Sequence, residues 1–146
     1  AHPAAMLAGR VMLQHLAERE STIYPQLAAK GDRLRRGIEA AFYRAGILVR
    51  CTGEGNAVVP GSSLIQVHFP LCDDTRLDSP DLVWDPQLCD AALREQALKL
   101  GLLLRDVNVS HGLGAVSMAH DEAALAQTLD AFAWVAEQMA EARQAW

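Results

Sequence analysis

The chain has 146 residues, half of them hydrophobic and about a fifth charged, with a formal net charge of −5. That length suits one domain with a real core, and the balance is that of a globular chain rather than a disordered one. It excludes three classes: there is no basic stripe for nucleic acid, no apolar run near the roughly 18 residues that span a bilayer, and no basic-then-apolar signal peptide.

Cys51, Cys72 and Cys89 form an odd set without a C-x-x-C pair, which suits free thiols in a reducing compartment, so the expected location is cytoplasmic. The chain starts at Ala1 without an initiator Met and enters a helical pattern at once, with Pro3 where a first-turn proline is tolerated. A domain cut from a longer protein would begin in this way.

Residues 3 to about 19 read as a helix. Met6, Leu7, Val11, Met12, Leu13 and Leu16 wrap most of it, leaving a narrow polar strip at Arg10, Gln14 and Glu18. A helix so apolar is expected to be covered on more than one side. Ser21 and Thr22 are candidate caps for a second helix, which runs to about Ala45 and stops at Gly46. Its expected buried face is Leu27, Leu34, Ile38, Ala41 and Ala45, with Arg33, Arg35, Arg36 and Glu39 outside.

The period then changes. "ILVRCT" reads as a strand, "GEGN" as a turn, and "SSLIQVHF" as a strand with Ile65, Val67 and Phe69 on one face. Residues 70 to 86 hold three prolines and five aspartates and are expected to form a long loop. A third helix from about 87 to 100 is expected to stop at Gly101. "LLLR" then reads as a short strand, "DVNVSHGLG" as a loop, and "AVSMA" as another strand. The last helix starts at Asp121, with Leu125, Leu129, Phe132, Ala136 and Met139 on one stripe. The order ααββαββα predicts an α+β fold, a small and mostly antiparallel sheet packed with helices.

Several residue groups invite a chemical reading. Ser117, His120 and Asp121 contain the types of a nucleophilic triad, but the serine lies within a strand pattern, with no sharp turn to expose its hydroxyl. Asp121 is better read as the cap of the last helix, with Glu122 adding charge at the positive end of the dipole. "HGLGAV" is followed by a strand pattern, so it is a turn and not a dinucleotide loop. The histidines at 2, 15, 68, 111 and 120 lack metal-ligand spacing, and the aspartates of 73 to 85 do not match a calcium loop. Arg33, Arg35 and Arg36 read as a solvated helix face. On this reading the chain holds no catalytic, cofactor-binding or metal-binding residue of its own.

The layout nonetheless resembles a known family. "HPAAMLAGRVMLQHL" is similar to the helix that opens the C-terminal small domain of class III, fold-type I pyridoxal-phosphate aminotransferases. "QLAAKGDRLRRGIEAAFYRAGI" resembles their L-x-x-x-G-x-x-L-x-x-G-[IL] helix, and "CTGEGNAVVPGSSLIQVHF" their x-T-G-x-G-S segment. "ALKLGLLLR" and "VSMAHDEAALAQTLDAF" resemble two further blocks, the last being similar to x-S-x-A-H-T-x-E-D-I-D-x-T-L-x-A. The resemblance covers nearly the whole chain, and its nearest branch is the glutamate-1-semialdehyde aminomutase-like one. Two departures stand out: "DVNVSHGLGA" replaces that branch's Pro-Ser-x-[FY]-Glu run, with Gly112 about where the glutamate would fall, and Asp121 replaces the usual threonine.

The resemblance implies that residues 1–146 form one domain, the C-terminal small domain of an enzyme that moves an amino group to or from a carbonyl substrate. The implied cofactor is pyridoxal 5'-phosphate in the intact enzyme, with none bound to this chain alone. The implied partners are the enzyme's own N-terminal large domain and a second copy in a homodimer, with no nucleic acid and no membrane. Such enzymes need a lysine for the cofactor and an acid for its pyridine nitrogen. Lys30 and Lys99 are the only lysines here, and both lie in helix patterns unlike the family's loop lysine. The expected chain is therefore inactive alone. The alternative is a free-standing, non-catalytic interaction module with the same fold.

Overall fold

The computed structural model describes residues 2–56 and 61–144, and the side chain of Gln144 is outside that description. Helices α1 (Pro3–Glu18) and α2 (Glu20–Arg44) follow one another across a break at Arg19. The expected caps Ser21 and Thr22 lie inside α2. Arg19 occupies the cap position instead, because its carbonyl already accepts the N–H groups of Thr22 and Ile23 at 3.0 and 2.9 Å. The other end is as expected. Gly46 follows the last turn with φ +69°, the left-handed conformation that glycine adopts without a Cβ penalty.

Strand β1 (Arg50–Thr52) pairs antiparallel with β2 (Leu64–His68), which pairs antiparallel with β3 (Leu113–Ala115) in the order β1-β2-β3. Ile65, Val67 and Phe69 are all buried, as their alternation predicts. Leu34, Ile38 and Phe42 of α2 and Leu125, Phe132, Val135 and Ala136 of α5 (Glu122–Gln144) complete the core. Phe42 and Phe69 meet edge to face at 5.5 Å. Of the expected face of α2, Leu34, Ile38 and Ala41 are buried, while Leu27 and Ala45 are half-buried. Leu129 and Met139 on α5 are partly buried against the same core. The expected class holds: α+β, with a small antiparallel sheet under helices.

Five further expectations need correction. Arg35, assigned to the outer face, is only 5% exposed. Its Nη1 donates to the backbone carbonyls of Gly53, Ser62 and Leu64, and its Nη2 pairs with Asp32. Those carbonyls lie just after β1 and at the start of β2, and a guanidinium supplies several donors in one plane. The loop at 70 to 86 contains a short helix, α3 (Pro80–Trp84). Ser79 caps it by accepting from the Asp81 N–H, and Pro80 occupies the first turn.

The third helix begins later and ends later than expected. Asp90 Oδ1 accepts from the Leu93 N–H at 2.8 Å, a π-helical stretch spans Leu93–Leu98, and α4 (Lys99–Leu103) continues past Gly101. Gly101 is there for packing, since a Cβ would lie 2.8 Å from Val135 Cγ2 of α5. The expected "LLLR" strand is therefore the end of a helix and its turn, with Leu102 fully buried and Leu104 exposed. Asp106, at φ +59°, takes the left-handed position that closes it. Finally, β3 lies two residues earlier than the expected "AVSMA" strand, and Ser117 to Ala119 belong to the turn before α5.

Helix α1 differs from the rest, because none of its residues is buried. Met6, Leu7, Val11, Met12 and Leu13 are each more than half exposed, and only Leu16 is half-buried. No helix among the described residues is long and apolar enough to cross a membrane.

Candidate functional site

The turn between β3 and α5 brings Ser117 and His120 together. His120 Nδ1 lies 2.9 Å from both the backbone nitrogen and Oγ of Ser117. A backbone N–H can only donate, so Nδ1 is the acceptor and its lone pair closes the turn. The carboxylate of Asp121 takes the Ala124 N–H at 2.8 Å, as a cap of α5. The three residues are adjacent, yet Asp121 serves the helix rather than orienting the imidazole. Lys30 Nζ reaches across from α2 to the carbonyls of His120 at 2.6 Å and Met118 at 3.4 Å. Arg33 pairs with Glu122 beside it. This turn is a joint between α2 and α5.

A second polar cluster lies at the other end of β2, and sequence reasoning did not find it. Arg94 is 2% exposed, with its guanidinium carbon 4.2 Å from the centre of the Trp84 ring. Nε donates to Glu95 at 2.8 Å and Nη1 to His68 Nδ1 at 3.4 Å, while Nη2 has no partner among the described residues. Glu95 also holds His111 Nδ1 at 2.6 Å, and the rings of His111 and Trp84 meet edge to face at 6.2 Å. Gly112 completes the enclosure, because a Cβ there would lie 2.7 Å from Arg94 Cδ.

The tautomer decides what this cluster can do. Arginine has no acceptor, so His68 Nδ1 must accept and Nε2 must carry the proton. Nε2 then donates to Thr52 Oγ1 at 2.8 Å. His68 therefore has no lone pair free to activate the threonine hydroxyl. Burial, then the nearby Arg94 and Arg50 charges, holds its pKa down at about 4, so it is neutral near pH 7. The cluster orders the fold and is not a proton relay.

Among the described residues, the two buried thiols are not set up as nucleophiles either. Burial and then Glu39 push the Cys51 thiol up, and burial does the same at Cys89, so neither is a ready thiolate. Both lysines are placed: Lys30 is bound to two carbonyls, and Lys99 lies exposed at the start of α4. Among the described residues no three His, Cys, Asp or Glu are grouped to hold a metal ion.

No family model and no curated protein matches the chain. Among solved structures it is similar to an omega-transaminase from Sphaerobacter thermophilus, with 25% sequence identity and a TM-score of 0.66. The match covers 97% of this chain and 29% of that one, so these residues span less than a third of the length of their structural neighbour. The fold is thus aminotransferase-like.

Proposed function

We propose that these residues form the small domain of a pyridoxal-phosphate-dependent class III aminotransferase, and that the cofactor is held by a large domain outside them. The observation that carries this reading is the match of 97% of the chain to part of an omega-transaminase. The exposed apolar side chains of α1 support it, since they form the kind of surface that another domain covers. The residues present do not fit the cofactor themselves. Lys30 is tied into the α2–α5 joint, Lys99 is on the surface, and the unpartnered Arg94 nitrogen is enclosed behind Trp84 and Gly112. The role of the chain is then to pack on that large domain and close one wall of its cleft.

Within that class, the Ser117-Met118-Ala119-His120 block is closest to the aminomutase-like branch. The geometry of the turn accounts for its serine and histidine as structural residues. The branch's glutamate has no counterpart at Gly112, whose φ of +72° and contact with Arg94 leave no room for a side chain. We therefore favour amino transfer over the mutase reaction.

The test is to capture the native polypeptide with antibody against this chain and supply pyridoxal phosphate, a donor amine and a keto acid. Amino transfer is expected. Captured protein that transfers nothing across a panel of amines and keto acids would favour the non-catalytic module.

A further inference from the structure

Between the sheet, α2, α5 and the segment 106–116 lies a cavity of about 290 Å³. Ile38, Ile65, Leu125 and Phe132 line its inner wall. Its origin can be traced to one residue. In the β2–β3 register Gly114 pairs with Ile65, so both positions face the same side of the sheet, and Ile65 faces the core. Leu113 and Ala115, its neighbours along the strand, are exposed, as the alternation requires. A Cβ built on Gly114 meets no atom within 4 Å. The glycine is not there for its backbone either, because its φ lies outside the positive range found at Gly112. A core-facing strand position is thus left without a side chain, and the exposed polar residues of the cavity lining are Asp106, Asn108, His120 and Gln127.

Protein interiors are close-packed, and an open cavity of this size beside the core lies near the lower end of the range of small-ligand pockets. A glycine inside a strand marks a bend or a place where a ligand comes close. We infer that this cavity is a binding site for a small, uncharged, mainly apolar molecule, with its apolar body against Ile65 and Phe132 and one polar end at the mouth. An apolar cavity of about 150 Å³ accepts benzene, so this one suits a fused aromatic or a medium aliphatic chain of about ten heavy atoms. The cavity borders the turn before α5 through His120 and the Arg94 cluster through Gly112, and the inference does not depend on the aminotransferase reading.

Indole and octan-1-ol are the probes, each titrated into the folded chain and followed by calorimetry and amide chemical shifts. Saturable binding with one equivalent is expected, with the largest shifts at Gly114, Val116, Ala124 and Thr128. Gly114→Leu, which fills the space from the sheet, should weaken binding at least tenfold while leaving the chain folded. Ala124→Leu fills it from α5 and serves the same purpose if the first variant does not fold. No saturable binding of either probe by the unaltered chain would overturn the inference. So would shifts confined to α1, or a folded filling variant that binds as well as the parent.

Discussion

If Asp121 is a cap and nothing more, its removal should cost stability by the amount of one exposed helix cap. The carboxylate accepts one backbone N–H, that of Ala124, at 2.8 Å, and the site is exposed. The helix behind it is held by Leu125, Phe132, Val135 and Ala136, all buried, so losing the cap frays the first turn without undocking α5. Asp121→Ala should therefore cost about 1 kcal/mol, within the range of about 0.5–2 for such replacements. For a domain of this size that lowers Tm by about 2–4 °C. Asp121→Asn keeps the acceptor and loses only the charge at the positive end of the helix, so it should cost less than the alanine change. Ser117→Ala keeps the backbone N–H on His120 and should be the mildest of the three. Urea unfolding followed by far-UV circular dichroism measures all of them. Asp121→Ala as stable as the parent would refute the cap. Loss of turnover in the whole enzyme from Asp121→Asn, with unchanged stability, would revive a catalytic role.

Three further outcomes follow from the packing and charges. His68 has a folded pKa of about 4, below its unfolded value, so the unfolded chain binds the extra proton. Its contribution is therefore present above about pH 6.5 and is lost as pH falls toward 4, by at most about 3 kcal/mol. His68→Gln should flatten the fall in stability between those pH values, and an unchanged pH slope would contradict the assignment. Gly31→Ala should destabilise by about 1–3 kcal/mol despite the better helix propensity of alanine, because its Cβ would lie 2.1 Å from the Ser62 carbonyl oxygen, which is backbone and cannot swing away. A neutral or stabilising effect in thermal melts would show that the 61–63 segment yields. The exposed face of α1 should make the isolated chain self-associate with rising concentration, and Val11→Glu should weaken this in sedimentation; a parent chain that stays monomeric at high concentration would count against an interdomain role for that face.

Much of the frame can be read from local pattern. The stripe on α5, the alternation in β2, the cap at Asp121 and the stop at Gly46 depend on residues within a turn or two of one another, and the structure has each of them. Readings failed where a residue answers to something distant. Gly101 looks like a helix stop because local rules give glycine that use, yet it faces Val135 of another helix. With the stop misplaced, the leucines after it looked like a strand. Arg35 sits in a charged run that reads as solvated, and only the carbonyls of Gly53, Ser62 and Leu64 explain its burial. Arg94 gave no local signal, since its partners His68 and Trp84 come from other parts of the chain. The candidate triad was legible as a set of residue types, and its true use depended on bond directions that sequence spacing does not carry. The cavity was written in "GLGA" all the same: a glycine on the inward side of a strand is a visible omission, once the register is known.

The central claim is that the cofactor is held by residues outside this chain. The most direct measurement is to reduce the captured native polypeptide with borohydride in the presence of pyridoxal phosphate and map the modified lysine by peptide mass. The account predicts a single stoichiometric label on a lysine outside residues 1–146, with Lys30 and Lys99 unmodified. Stoichiometric label on Lys30 or Lys99 would contradict it, because the cofactor anchor would then lie in the domain assigned here to closing the cleft.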